Sequence, residues 1–249
     1  MSFLDCSDKW IALRVNSSDR ASGTSSDFFI YSTAHAFHGT YALQNAILPV
    51  TQYNINSGNN VIYFTENATA KSVALPVGYY TSTTLPAAVA SAMTTASGGF
   101  STYTSSLNAT SQQLTITAGN NFALTFGTNT ANSAATALGF AAVDTAAATS
   151  QTSNQVVNLL GTLCFNILIS DVTGTSSTKG SGASFVVPID QNSLSVVVYD
   201  GKHPLQKVHF ESPVKNLRVQ LFQDNGQPLS LNACDWQMTL LKLTEYSRN

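Results

Sequence analysis

Four histidines, thirteen carboxylates and three cysteines are the residues of this 249-residue sequence best suited to hold a metal or move a proton near neutrality. His35 and His38 stand three apart in STAHAFHGT, and His203 and His209 follow far downstream. A catalytic zinc wants three protein ligands and a water. Asp200 or Glu211 would have to complete such a set, and no spacing ties either to the histidine pair. The pattern reads as loop and strand histidines, and no metal site is expected. Cys6, Cys164 and Cys234 lie far apart without a CxxC spacing, as reduced thiols of a protein made in cytoplasm would. The sequons at Asn16, Asn67 and Asn108 are then chance matches in a chain rich in Asn, Ser and Thr.

Nucleophilic and phosphate chemistry fare no better. GTSSTKGSGAS (174–184) has no GxSxG elbow between a strand and a helix, and it lacks the GxxxxGK[ST] order of a phosphate loop. It reads as a flexible loop. A carboxylate pair for glycoside hydrolysis is not settled by spacing alone. However, residues 72–143 contain no Asp, Glu, Lys, Arg or His, and Asp144 is the only charge as far as Ser170. An enzyme would have to mount every acid and base on the remaining framework, so neither enzymatic activity nor a cofactor is expected. The aromatic residues of that interval offer a different chemistry: Tyr79, Tyr80, Phe100 and Tyr103 could stack on a sugar, or supply the core of a small module. Phe100 reads as core. Tyr79 and Tyr80, beside a turn, are the candidates for surface recognition, with core packing as the alternative.

The elements that must position these residues are mostly strands. Only 10% of the chain is Asp, Glu, Lys or Arg, and neutral Ser, Thr, Asn and Gln fill the deficit. Two readings account for this: a compositional habit of the source, or surfaces that are buried on assembly, where interface cores are depleted of charge. A net charge of −2 without a basic run speaks against direct sequence reading of DNA or RNA. The opening MSFLDCSDKW lacks the basic and apolar stretches of a signal peptide, and no run approaches the length of a membrane span. Alternation predicts strands in WIALRV, DFFIYS, TYALQNAILPV, LCFNILIS, SFVVPI, SLSVVVYD, KVHFES, NLRVQLF and DWQMTLLKLTE. Pro188 demotes its strand to an edge or a bulge, and Asn225-Gly226 marks a hairpin-type turn. Core positions follow: Leu13, Phe165, Ile167, Val196, Val219 and Leu221. Such strands, one face wet and no helices between them, predict a mainly β protein, an antiparallel sandwich or single jelly roll.

Residues 51–160 differ in kind. VIYFTE, AKSVALP, FSTYTSS, QQLTITA and FALTFG read as strands. In VALPVGYYTSTTLPAAVASAM (73–93), Thr84 is placed to cap a helix with Pro86 in its first turn and Leu85, Ala88, Val89, Ala92 and Met93 on one stripe. Ser97-Gly98-Gly99 ends it, and TANSAATALGF suggests a second short helix closing at Gly139. The expectation is a β-β-α-β-β-type α+β domain at 51–160, inserted into a jelly roll made of 1–50 and 161–249, with its helix covering a sheet too small to bury itself.

Two stretches carry more than pattern: LPVGYYTSTTLPAAVASAM with QQLTITAGNNFALTFGTNTANSAATALGF (75–93 and 112–140), and FESPVKNLRVQLFQDNGQPLSLNACDWQMTLLKLTE (210–245). Together they resemble penton and minor capsid proteins of the double-jelly-roll virus lineage: virophages, polinton-like elements and large nucleocytoplasmic DNA viruses. The resemblance implies a single jelly roll in the capsid shell, five copies closing each icosahedral vertex and the insertion projecting outward. Its partners would be itself, as a homopentamer, and neighbouring major capsid protein capsomers, in a virion assembled in host cytoplasm. Penton and other minor jelly-roll protein both stay open. The terminal segments 1–8 and 246–249 would order only on assembly. Two other function classes compete: a module binding a host surface glycan or receptor through Tyr79 and Tyr80, and a β-sandwich hydrolase.

Overall fold

The computed structural model describes residues 12–31, 36–171, 185–201 and 206–243. The chain divides into two compact units, Met1–Gln52 with Thr162–Asn249, and Tyr53–Gly161.

The first unit is built from β1 (Ala12–Asn16), β2 (Ser22–Thr24), β3 (Asp27–Tyr31) and β4 (Phe37–Pro49) on the N-terminal side of the second unit. In the second unit, β5 (Val61–Glu66), β6 (Thr69–Ala74), helix α1 (Thr84–Ser97), β7 (Tyr103–Leu107), β8 (Leu114–Leu124) and β9 (Ala148–Thr152) follow. The chain then returns to the first unit with β10 (Cys164–Asp171), β11 (Phe185–Pro188), β12 (Val196–Asp200), β13 (Lys207–Val214), β14 (Asn216–Phe222) and β15 (Gln237–Leu243).

Two antiparallel sheets face each other in the first unit. One has the order β1-β15-β4-β12, with β13 also paired to β4; the other runs β11-β10-β14-β3-β2. Neighbours in space are mostly distant in sequence, β1 beside β15 and β3 beside β14 among them, which is the winding of a jelly roll rather than of a meander. Alternation explains the core. Phe165, Ile167 and Ile169 of β10 and Leu217, Val219 and Leu221 of β14 point inward in register, Ile167 opposite Leu221 and Ile169 opposite Val219. They meet Leu43, Ala46, Leu48, Met238 and Leu240 of the facing sheet. Trp236 closes one side, its indole N–H donating to Ser25 O at 2.7 Å and its ring edge-on to Phe28. Leu13 packs against this core from its margin.

Val196 does not join it. Val197 is the buried residue of β12, and Val196 and Val198 are 48% and 68% exposed. Three consecutive valines make the strand apolar on both faces, so periodicity cannot choose between them. Pairing decides, with Val197 opposite the buried Leu48; a slip of one residue exchanges the two faces.

The second unit packs α1 on a sheet of order β6-β5-β8-β7, with β9 also on β8. Leu85, Val89 and Met93 recur every four residues and are fully buried among Ile62, Phe64, Leu114, Ile116 and Phe122. Pro86 occupies the first turn, and Gly98 ends the helix in the left-handed region with φ 67°. The residue at the cap is Thr83 rather than Thr84, and it makes no capping bond; Thr84 Oγ1 instead accepts from the Thr81 N–H.

Three local expectations are corrected. QQLTITA and FALTFG form one strand, β8, because Asn120 in the intervening GNN donates to Phe100 O and Ser101 Oγ and holds the segment extended. TANSAATALGF is not a helix. The bonds Val61 N–H to Asn132 O and Ala134 N–H to Val61 O tie its start to β5. A single turn remains, closed by Phe140 N–H to Ala135 O and Gly139 N–H to Thr136 O around Gly139 at φ 76°. Phe100, read as core, is 45% exposed; it follows the glycine pair that ends α1 and lies beyond the sheet.

Candidate functional site

His209 Nδ1 lies 2.9 Å from Thr40 Oγ1 directly across the β13–β4 pair, and His38 is exposed on β4. His35, His203 and Cys6 fall outside the described residues. Among the described residues no group of three His, Cys, Asp or Glu is placed to hold a metal ion, and no helix is long and apolar enough to cross a membrane. Cys164 and Cys234 are free thiols. Burial, with Asp224 nearby, raises the Cys164 thiol above its ordinary value, which suppresses the nucleophilic thiolate. The loop 174–184 lies outside the described residues.

The carboxylates of the second unit are committed to structure. Asp144, alone in its charge-free surroundings, accepts from the N–H groups of Gly127 and Thr128 at 2.8 and 2.9 Å and from the Thr128 hydroxyl. These bonds hold its carboxyl below the usual carboxylate range. A carboxylate so occupied clamps the turn at Gly127 and Thr128. Glu66 is buried at the end of β5. Burial pushes its carboxyl up, but bonds from Lys71, Ser97 and Tyr103 outweigh that and leave it below its usual range. Tyr103 donates to Glu66 Oε2 at 2.8 Å, and burial followed by the Glu66 bond raises its hydroxyl far out of the titrating range. This quartet was not singled out in the sequence. Its one signal is that Glu66 and Lys71 are the last charges before the neutral interval.

Tyr79 and Tyr80, adjacent in sequence, have different surroundings. Ile55 and Gly78 form a two-way backbone bridge. Asn54 then fixes Tyr80 by accepting from its N–H at 2.8 Å and donating to its C=O at 2.7 Å. The Tyr80 ring packs against the unit's core and its hydroxyl donates to Pro76 O at 2.7 Å; burial raises that hydroxyl's pKa. Tyr79 is 50% exposed. The backbone therefore presents one ring and retains the other, a single platform rather than a pair.

Asp144, Glu66 and Tyr103 serve a turn and the core, and the jelly roll displays apolar side chains on β12. No protein-family model and no curated protein matches the sequence. Among solved structures, the chain matches the crystal structure of selenomethionine-labelled mavirus penton protein with a TM-score of 0.52 and 10% identity, over 94% of this chain and 99% of that one. The likeness read from the two sequence stretches is thus met, at the level of fold and along nearly the whole of both chains, by a virophage penton protein.

Proposed function

We propose that this chain is a capsid structural protein, the penton of an icosahedral DNA virus or virophage. The observation that carries the reading is the end-to-end fold match to a penton protein: a jelly roll and a second unit are covered together, not the sandwich alone. In this reading five copies close each vertex as a ring of heterologous contacts. They sit beside the major capsid protein capsomers, with residues 51–160 projecting outward, in a virion assembled in host cytoplasm. The work is shape-fitting and burial, so neither catalysis nor a cofactor enters it. The low charge of the chain suits surfaces that are dry in the assembled shell. Electron microscopy of particles carrying a tag on this chain tests the assignment. Label confined to the five-fold vertices is the expected result; label on the facets, or particles that assemble normally without the chain, would overturn it.

A second role compatible with the first is recognition of a host surface glycan or receptor by the outward unit. The half-exposed Tyr79 ring favours it, with Tyr80 holding the turn that presents the ring. Binding to a glycan array that is lost in Tyr79→Ala is the expected result; binding that survives this substitution would exclude stacking on that ring.

A further inference from the structure

We propose that the outer strand β12, with its row of exposed valines, is the surface through which this chain packs against a second copy of itself.

Among the described residues β12 is the edge of its sheet, paired only with β4. The bonds Val50 N–H to Ser195 O and Gly201 N–H to Gln44 O fix which residues face β4. In that phase the N–H and C=O groups of Val196 and Val198 are directed to the open side. Pro49, which has no N–H to donate, sits opposite Val196 at a position that needs none. The side chains of Val196 and Val198 stand on the outer face of the sheet, and Leu194 just before them is 88% exposed with φ 64°. An exposed leucine in the left-handed region combines two unfavourable choices at one position.

The other edges described in this unit are blunted. β1 carries the exposed Arg14, β2 is three residues long, and β13 alternates Lys207, His209 and Glu211 outward and contains Pro213. β11 carries Pro188, and the Gln206 amide accepts from Val186 N–H while donating to Val186 C=O, occupying the edge as a neighbouring strand would. Charge, shortness, proline and a side-chain plug are the means by which proteins keep sheet edges from pairing. β12 has none of them along its valines; its single charge, Asp200, stands at the far end.

The chemistry of the strip selects the occupant. Across the outer face the row from Val198 continues through Ile47, Gln237 and Asn16, all uncharged. Against the valines themselves a highly charged partner would desolvate its charges with few ions to pair them, since Asp200 stands at the strand's far end and Arg14, bonded to Gln237, lies beyond β4 and β15. A second copy, with 10% charged residues and a net charge of −2, brings neutral surface and its own strand edges. The choice of a second copy deepens the penton reading and rests partly on it, since a closed ring needs such a contact on every subunit.

Native mass spectrometry of the full chain tests this, comparing wild type with Val196→Glu/Val198→Glu and with Val143→Glu, a charge placed on an exposed valine of the other unit. The wild type is expected to be oligomeric, the double variant to associate at least tenfold more weakly, and the Val143 variant to behave as wild type. Should the double variant fail to fold by circular dichroism, Val198→Thr, which keeps shape and strand propensity, is expected to weaken association several-fold. A wild-type dimer abolished by these changes would support β12 as the contact while overturning five-fold closure. A pentamer undiminished in the folded variants would overturn the β12 contact alone, and a wild type monomeric at every concentration would overturn both.

Discussion

The ammonium of Lys71 lies 2.7 Å from the buried Glu66 carboxylate and, at the same time, 2.7 Å from the carbonyl of Ser97 and 3.2 Å from that of Ala96. One cation thus pairs the only buried charge of the second unit and caps the C-terminus of α1, where the helix dipole favours positive charge. Helix and β5–β6 hairpin are joined by this group as well as by apolar packing. Replacing Lys71 by Met leaves Glu66 buried without its cation. The expected loss is about 3–5 kcal/mol in urea unfolding, largely recovered by pairing it with Glu66→Gln, because an unpaired buried charge costs far more than a neutral pair.

The same carboxylate makes the unit sensitive to acid. Burial alone would raise the Glu66 value, yet the Lys71, Ser97 and Tyr103 bonds set it below the ordinary one of about 4.3. A depressed folded-state value means the unfolded chain takes up the proton first. The stabilisation is therefore complete above the unfolded value and is lost as pH falls through the folded one. Thermal melting from pH 7 down to pH 3 should show the wild type losing stability below about pH 4.3, with a flatter profile in the Glu66→Gln/Lys71→Met variant.

Tyr79 and Tyr80 should separate under substitution. Tyr79→Ala removes a half-exposed ring and is expected to leave stability within about 0.5 kcal/mol. Tyr80→Phe removes the hydroxyl bond to Pro76 O and should cost about 1 kcal/mol. Equal effects in chemical denaturation would mean the two rings share an environment, contrary to the structure.

Gly139 in LGF answers to backbone rather than to packing. Its φ is 76°, and a Cβ there would meet Gln155 O at 2.5 Å and Val156 O at 2.8 Å. Gly139→Ala should cost more than the roughly 1–2 kcal/mol of the left-handed conformation itself, seen as a lower denaturation midpoint. An unchanged midpoint would show that the turn relaxes freely.

How much of this was legible in the sequence depended on whether a strand's two faces differ. β10 and β14 alternate apolar with polar, and Phe165, Ile167, Val219 and Leu221 are in the core as alternation predicts. VVVY in β12 does not alternate, and its buried face is chosen by β4 across the ladder, a partner some 150 residues away. GNN in β8 has turn composition, but the Asn120 side chain holds it extended. The Ala-rich 132–140 has helical composition, but bonds to Val61 stop it after one turn. The turn that carries Tyr79 and Tyr80 was visible as GYYTS; which ring it exposes was not, because Asn54 settles that from another segment.

The central claim is that five copies of this chain close a ring. Native mass spectrometry of the purified 249-residue chain, alone and with the major capsid protein, tests it most directly. A species of five times the 26.4 kDa chain mass is the predicted result. A chain that stays monomeric at high concentration and in the presence of the capsid protein would contradict it.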